Sequence, residues 1–430
     1  MLSPADSDLV RRDPSLPGLK VVLDPEALVD RVRRASGQHD LAIGAATYIK
    51  YQRGLSCLAG YQLSIGETVI PIYATAYRAD ASAKLDKWRQ QPEIRTPLGA
   101  GRIPLEDCVS LVTIFPNDRK IKALASMSQN ETRQRLLAEV FSDRPDISAI
   151  AMRPMVYRPQ LRYVACLHNG TEAGVLKCYG ERDYATAKTN AQALAPSDAL
   201  GLPQLLGCSD RLAFLVMDWT VGRSLSEVLC AAAEETAVLE DVGRALAALH
   251  RQEPPGVPGL TRQAEAHQLA SVAEAVGVLC PALAARALRA AATLGGALLD
   301  LPREERPLHG DFYAAQVLLA QQRVVLLDLD SMVRGDPALD VGNFIAHLIL
   351  ENLRGALSAR RVATATESLV TGYRRYNPSC PPDRISLYTG AGLLKRGLKP
   401  FRSRQREWPA QTEALLDRLE RLLVNKTGET

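Results

Sequence analysis

The sequence predicts an α+β chain with a small antiparallel β lobe, a mostly helical C-terminal lobe and an additional α+β region at the N-terminus. Paired strand patterns with glycine turns occur at residues 47–77 and 155–179. Amphipathic and Ala-rich helical patterns fill most of residues 236–423. We therefore expect an N-terminal cap at 1–150, a small lobe at 151–217 and a helical lobe at 218–430.

The small lobe contains the clearest hairpin signal in the chain. A strand pattern over 162–167 leads into Asn169-Gly170, a dipeptide that favours tight hairpin turns. The return strand delivers Lys177. The helix predicted at 183–194 contains no glutamate; Glu181 lies just before it, and Asn190 and Gln192 lie within it.

The cap has the same layout as this hairpin region. Four positions are identical when 47–77 is aligned with 155–179, and they pair Tyr51 with Tyr157, Leu55 with Leu161, Ala59 with Ala165 and Tyr77 with Tyr179. Thr75 then occupies the position of Lys177. Either the cap is a degenerate second copy of the small lobe, or the two hairpins are unrelated. A strand and turn at 111–124 and a helix at 131–141 follow, and we expect residues 1–15 to be a disordered or loosely attached lead.

A strand at 212–217 enters the helical lobe through a connector at 218–222. Helices are predicted at 236–250, 264–280, 282–300, 341–350, 360–374 and 408–423, with Pro281 separating two of them. His250 ends the first of these helices, and we expect it to be packed or capping. The basic stretch 393–408 is either a solvated helix end or a surface that recognises an acidic acceptor.

Composition excludes several classes of protein. The net charge of +4 and pI near 8.6 are too mild to indicate nucleic-acid binding. The eight cysteines show no metal-ligand spacing. No uninterrupted apolar stretch approaches the length of a membrane span, and the N-terminus lacks a secretory signal. We expect a cytoplasmic protein, monomeric or homodimeric, that contacts neither nucleic acid nor membrane.

The segment 308–340, LHGDFYAAQVLLAQQRVVLLDLDSMVRGDPALD, carries the chemistry. Asp311 follows His309-Gly310, Gln316 comes five residues later, and Asp328 ends an apolar strand. Phosphoryl transfer needs a carboxylate at the acceptor hydroxyl and hard oxygen ligands for magnesium. A hairpin in this segment would bring these three side chains to one end.

This pattern resembles the catalytic core of the aminoglycoside phosphotransferase and choline kinase family, a branch of the protein-kinase-like fold. The resemblance implies that Asp311 is the catalytic aspartate and that His309 braces its loop. Asp328 would be the main magnesium ligand and Asp330 a secondary one. The two acids of GDPALD, Asp336 and Asp340, would tie the next helix to the catalytic loop.

The chain departs from the family pattern at Gln316, where asparagine is usual. Maltokinase-like members of the superfamily resemble this chain in having glutamine there and in having an N-terminal cap. By the same resemblance Lys177 would contact the nucleotide phosphates and pair with a helical glutamate. Glu181, just before the predicted helix, is the nearest acid, and Asn190 or Gln192 could stand in for it. A hinge formed by Met217, Asp218 and Trp219 would meet the adenine.

These features predict a kinase with ATP and Mg²⁺ as cofactors. It would transfer the γ-phosphoryl group to a hydroxyl of a sugar, an aminoglycoside-like compound or an amino alcohol. A nucleotide-binding pseudokinase scaffold is the alternative, because Gln316 is unusual and neither a Gly-rich phosphate loop nor a helical glutamate is evident. A protein kinase is disfavoured, since the chain has GDPxxD but no HRD triad.

Overall fold

The computed structural model describes residues 2–141, 150–231, 237–321 and 323–427. The chain divides into two compact units. The N-terminal unit comprises 1–184, 207–216 and 399–409, and the C-terminal unit comprises 185–206, 217–398 and 410–430. One boundary, between Val216 and Met217, adjoins the end predicted for the small lobe, and the three-part division into cap and two lobes remains a prediction.

Two antiparallel sheets are built from the first half of the chain. The strands of the first sheet are β1 Leu41–Ile43, β2 Tyr48–Gln52, β3 Ser56–Ile65, β4 Thr68–Tyr77, β5 Arg102–Leu105 and β6 Ser110–Ile114. Those of the second are β7 Ala151–Arg158, β8 Arg162–Asn169, β9 Thr171–Tyr179, β10 Leu205–Ser209 and β11 Phe214–Asp218. In the described part of this region seven helices accompany them: α1 Pro4–Arg12, α2 Leu19–Leu23, α3 Pro25–Ser36, α4 Ser82–Arg89, α5 Ala123–Met127, α6 Asn130–Val140 and α7 Glu181–Ala193.

The two sheets have the same connectivity. In the first, β1 and β2 pair with the two halves of β3, and the order continues through β4 and β6 to β5. In the second, β7 pairs along β8, and the order continues through β9 and β11 to β10. Among the described residues, three helices precede the first sheet and two lie between the first sheet and the second, and one helix follows each central hairpin. The first sheet therefore repeats the topology of the second, with one edge strand broken in two.

Local contacts repeat as well. In each sheet a carboxylate accepts hydrogen bonds from a tyrosine hydroxyl and from a turn amide three residues later. The first set is Asp13 with Tyr51 at 2.8 Å and Gly54 at 2.9 Å, and the second is Asp118 with Tyr157 at 2.9 Å and Gln160 at 2.7 Å. Both turn residues have left-handed backbones, with φ of 64° and 61°. This geometry suits glycine at the first turn and is costly for glutamine at the second.

The prediction of a disordered lead is wrong for the described residues 2–15. Helix α1 begins after Ser3, whose hydroxyl accepts a hydrogen bond from the Asp6 amide. Asp6 and Leu9 are each 1% exposed. The Asp6 carboxylate binds both terminal nitrogens of Arg404, at 2.7 and 2.8 Å. The partner of this helix lies at the other end of the sequence, so no local pattern in the first 15 residues indicates that it is held.

The C-terminal unit is mostly helical. Its helices include α8 Leu225–Cys230, α9 Val238–His250, α10 Arg262–Leu279, α11 Ala284–Leu299, α12 Ala338–Leu353, α13 Ala359–Tyr376 and α14 Pro382–Lys395. They are followed by α15 Lys399–Arg402, which belongs to the N-terminal unit, and α16 Trp408–Thr427. The short strands are β12 Arg223–Ser224, β13 Arg306–Leu308, β14 Val317–Ala320, β15 Arg323–Leu326 and β16 Val333–Gly335. They form a three-stranded sheet, β12-β14-β15, and the pair β13-β16.

The predicted helices correspond to α9–α13 and α16, with end residues that differ by up to four positions, whereas α14 was not predicted. One of them, Pro281–Leu299, is long and apolar enough to cross a membrane, with a mean hydropathy of 1.3. No such span was expected, because Arg286 and Arg289 interrupt the apolar run. Within the C-terminal unit the helix packs against α10 and buries Ala287 and Leu294. A core helix of a soluble protein meets the same criterion, so the finding is weak evidence for a membrane segment.

Candidate active site

The loop that carries Asp311 is anchored by a buried carboxylate. Asp340, in the first turn of α12, is fully buried. Its oxygens accept hydrogen bonds from the backbone amides of His309, at 2.6 Å, and Gly310, at 2.9 Å. Charge-assisted bonds of this kind are roughly twice as strong as neutral ones. The Asp340 carboxylate therefore sets the backbone position of the residue that follows, Asp311.

Gly310 permits a close approach between two segments of the site. Its φ is +81°, a left-handed value that favours glycine. A Cβ at this position would collide with the backbone carbonyl oxygen of Ser331. The catalytic loop and the segment after Asp328 thus pack backbone to backbone.

His309 is a bracing residue by its contacts. Its side chain is fully buried, and Nε2 lies 2.8 Å from the carbonyl oxygen of Leu327. Because a carbonyl only accepts, Nε2 carries the proton. The ring also lies 5.5 Å from that of Phe312, between centroids. The contact with Leu327 ties the HGD loop to the segment between β15 and Asp328.

Asp311 itself is exposed. A buried cation, Arg396, interacts electrostatically with it. Burial lowers the pKa of the Arg396 guanidinium to about 10, against the opposing charges of Asp311 and Tyr313. Arg396 donates to the carbonyl of Gly392 at 2.9 Å and to Asn343. This residue of the basic stretch is therefore not the solvated side chain that one sequence interpretation describes.

Gln316 and Asp328 meet at the end of the β14–β15 hairpin. Gln316 Nε2 lies 3.3 Å from Asp328 Oδ2 and 3.3 Å from the Tyr313 hydroxyl. The backbone is fixed there too, since the Leu327 amide donates to the Gln316 carbonyl at 2.8 Å. Asp328 adopts a left-handed backbone, with φ of 59°. Strained non-glycine residues of this kind cluster at functional sites.

This donor set suits magnesium. Asp328 is a half-buried carboxylate beside the Gln316 amide, and rotation of that amide exchanges its NH₂ for a carbonyl oxygen. Asp330, two residues later, is also half-buried. No cluster of three or more His, Cys, Asp or Glu that could hold a metal occurs in the described part of the chain. Magnesium takes one or two protein carboxylates and completes its shell with phosphates and water, so a small set fits it.

Asn190, a sequence candidate to replace the glutamate partner of Lys177, contacts the segment after Asp328. It lies on α7, is 1% exposed, and donates from Nδ2 to the backbone carbonyls of Leu329, at 3.1 Å, and Asp330, at 3.2 Å. It therefore holds the segment that presents Asp330. A buried asparagine inside a helix is the signal that could have indicated such a contact.

Asp336 stabilises the start of α12. Its Oδ1 accepts from the Ala338 amide at 3.0 Å, and its Oδ2 lies 2.7 Å from Arg262 and 3.4 Å from Arg384. Asp336 is thus neutralised by two arginines while Asp340 binds the loop. Asp340 thus makes the contact between α12 and the HGD loop that the motif implies, whereas Asp336 contacts the start of its own helix and the two arginines.

The proposed nucleotide residues lie in separate units. Lys177, on β9 opposite Val164, belongs to the N-terminal unit and is half-buried. Glu181, the sequence candidate for its partner, forms an ion pair with Lys122 and has a largely exposed side chain. Met217, Asp218 and Trp219 belong to the C-terminal unit.

Asp218 shows how the predicted hinge is held. Its amide donates to the Gln204 carbonyl at 2.9 Å, and its carboxylate accepts from the Gln204 amide at 2.7 Å. Burial raises the pKa of this carboxyl, against the hydrogen bond from Gln204. The Asp218 amide is therefore engaged within the protein.

Comparisons with known proteins agree with this arrangement. The model of the phosphotransferase enzyme family, APH, matches residues 163–378, half of the chain. No curated protein matches it. The structure of choline kinase from Cryptosporidium parvum Iowa II aligns with a TM-score of 0.52 and 10% identity, over 70% of this chain and 97% of that one. A thermostable mutant of aminoglycoside phosphotransferase APH(4)-Ia, in ternary complex with AMP-PNP and hygromycin B, aligns with a TM-score of 0.50 and 18% identity, over 67% and 98%.

The fold and the anchored HGD loop define a phosphotransferase of the protein-kinase-like class. The chain belongs to the phosphotransferase enzyme family. The predictions of the family, of the α+β kinase-like fold and of a small-molecule kinase as the enzyme class are confirmed.

Proposed function

We propose that this protein transfers the γ-phosphoryl group of ATP to a hydroxyl of a sugar, an aminoglycoside-like compound or an amino alcohol. One observation carries the proposal: Asp311 is exposed on a loop that three buried contacts fix. The contacts are the Asp340 carboxylate on the His309 and Gly310 amides, the His309 ring on the Leu327 carbonyl, and Gly310 against Ser331. Rigid presentation of one carboxylate is what an acceptor hydroxyl requires.

In this proposal Asp311 orients the acceptor hydroxyl and takes its proton as the bond to phosphorus forms. Positioned general bases contribute about 10²- to 10⁴-fold to rate. His309 acts on the loop and not on the acceptor, because its side chain is fully buried and its Nε2 donates to the Leu327 carbonyl.

Gln316, Asp328 and Asp330 would hold magnesium. When bound, the ion would neutralise charge on the phosphates. The fold brings Gln316 and Asp328 together, and Asn190 fixes the Asp330 backbone.

Lys177 would contact the phosphates, and the hinge residues Met217, Asp218 and Trp219 would meet the adenine. The Asp218 amide is already hydrogen-bonded to Gln204, so the backbone groups of its neighbours would make the contacts with adenine. Nucleotide binding is supported by family membership and by the AMP-PNP in the APH(4)-Ia complex.

We also propose that the cap is a degenerate copy of the small lobe. The shared strand order and the paired Asp–Tyr–turn contacts support this. Thr75 lies two residues before Tyr77, as Lys177 lies two residues before Tyr179, and Thr75 is buried. A copy without the lysine would shape access of the acceptor and would not bind nucleotide.

The proposal is tested by calorimetry and by ATP consumption. The purified protein should bind ATP only with a divalent cation, and a panel of sugars, aminoglycosides and amino alcohols should identify an acceptor whose phosphorylation requires Asp311. Binding of ATP without turnover of any acceptor, while the Asp311→Asn variant behaves like the native protein, would instead support the pseudokinase scaffold.

A further inference from the structure

A buried histidine outside the proposed chemistry contacts the carboxylate that anchors the catalytic loop. His250 ends α9 and is 1% exposed. Its Nε2 lies 3.1 Å from Asp340 Oδ2, and its Nδ1 lies 2.9 Å from the Tyr373 hydroxyl. Asn377 donates from Nδ2 to that hydroxyl at 2.6 Å. The side chains thus form one chain of hydrogen bonds that joins α13 to the HGD loop.

The direction of each hydrogen bond follows from donor and acceptor chemistry. The Asp340 carboxylate only accepts, so His250 Nε2 donates to it. The Tyr373 oxygen accepts from the Asn377 amide, so its own proton is directed to Nδ1. In this arrangement each bond has one donor and one acceptor. Burial raises the pKa of Tyr373, which keeps that hydroxyl protonated.

We propose that His250 is a positioning residue for phosphoryl transfer, acting through Asp340. Asp340 Oδ2 accepts from both the His309 amide and His250 Nε2. The imidazole thereby fixes the carboxylate in the orientation that reaches both loop amides, and so fixes Asp311. This inference rests on the proposed function, since it assigns His250 to the same site.

His250→Leu removes the donor and keeps the residue apolar and of similar size. The catalytic rate should fall about 10- to 100-fold with little change in the KM for ATP, because displacement of a reacting group by about 1 Å has that effect. His250→Gln retains an amide that can donate to Asp340 and should recover most of the rate. Tyr373→Phe keeps the imidazole and loses only its orienting hydroxyl, so its loss should be smaller. His267→Leu, at an exposed position on α10, is the matched control.

Hydrogen exchange of a peptide that covers residues 306–316 gives a readout that does not need an acceptor. In His250→Leu the His309 and Gly310 amides should exchange faster, while peptides from α10 and α11 stay unchanged. Equal losses of rate and of Tm in the Leu and Gln variants would mean a structural role only and would overturn the inference, as would native exchange in the Leu variant. Failure of the proposed function would show differently, as an inactive native protein whose loop still responds to His250→Leu.

Discussion

The amide nitrogen of Gln316 and a carboxylate oxygen of Asp328 lie 3.3 Å apart, although 12 positions separate them in the sequence. The β14–β15 register explains this contact, since Val317 pairs with Leu326 and the two residues lie just beyond that pair. The hairpin between them thus brings together two side chains that are proposed to be magnesium ligands. The contact makes the proposed metal site open to direct tests.

Asp328→Ala should abolish magnesium-dependent ATP binding. The substitution removes the carboxylate that lies beside Gln316 and leaves one acid, Asp330, in the proposed set. Calorimetric titration with ATP, with and without magnesium, measures the effect. If the variant binds MgATP like the native protein, the metal assignment is wrong. Asp300→Ala, at the end of α11 and outside this hairpin, serves as the control.

Asp311→Asn should reduce the catalytic rate by about 10²- to 10⁴-fold with little effect on the KM for ATP. The amide keeps the size of the side chain and cannot take the acceptor proton. Steady-state kinetics with an acceptor from the panel measure this split. A variant that keeps native turnover would exclude Asp311 as the base.

Lys177→Met should weaken ATP binding strongly, whereas Thr75→Val should leave it unchanged. The two residues occupy equivalent positions of the two sheets, and only one is a lysine. Calorimetry should also give one nucleotide per chain. Two nucleotides per chain, or loss of binding in Thr75→Val, would contradict the view that the cap lacks a nucleotide site.

Gly310→Ala should reduce both stability and activity, and by more than Gly355→Ala. Both glycines have left-handed φ, +81° and +78°, so the backbone cost of about 1 kcal/mol is shared. Only at Gly310 does the added Cβ collide with another residue, the Ser331 carbonyl; around Gly355 the space is open. Thermal unfolding gives the Tm of each variant, and the difference between them reports the collision, because the backbone strain is common to both. Equal decreases in Tm would show that the loop moves away from the Ser331 carbonyl without a loss of stability.

Stability should fall at acidic pH in part through Asp6. Burial alone would raise the pKa of this carboxyl, but the hydrogen bonds and charge of Arg404 outweigh it and hold the pKa below 3.8. The unfolded chain therefore takes up this proton first. The contribution of Asp6 is complete above about pH 4 and is lost as the pH falls through the lower, folded value.

Arg404→Met tests this pair, because it leaves a buried carboxylate without its partner. A loss of about 3 kcal/mol in the free energy of unfolding is expected at pH 7. Denaturant unfolding at pH 7 and pH 3, with Asp6→Asn and the double variant, measures it. If the losses of the single variants simply add in the double variant, the two residues are not coupled.

Local patterns predicted the secondary structure of the helical lobe well. Apolar periodicity specifies a helix face whatever that face packs on, so the predicted helices at 360–374 and 408–423 match α13 and α16 closely. The Asn169-Gly170 turn was likewise predictable, since its left-handed backbone is a local property. The same reasoning could not identify α1 as packed, because its partner Arg404 lies 398 residues away.

The candidate site divides in the same way. The order of Asp311, Gln316 and Asp328 in the sequence indicated the chemistry, and family membership confirms the enzyme class. The contacts of Asn190 and His250 could not be assigned from sequence, because the role of a buried polar side chain depends on the group to which it is hydrogen-bonded. Their partners, the Leu329 carbonyl and the Asp340 carboxylate, lie 139 and 90 residues away.

The sequence by itself determined the class of reaction, the strand and helix pattern and the residue types of the site, because these depend on spacing and on side-chain chemistry. Only the tertiary structure decided that Asp340 holds the HGD loop, that His250 and Tyr373 hold Asp340, and that the cap repeats the strand order of the small lobe. The physical reason is that buried hydrogen bonds and strand pairings join residues far apart in the chain. The free energy that these contacts contribute depends on the exclusion of water by the surrounding side chains, which exists only in the folded protein.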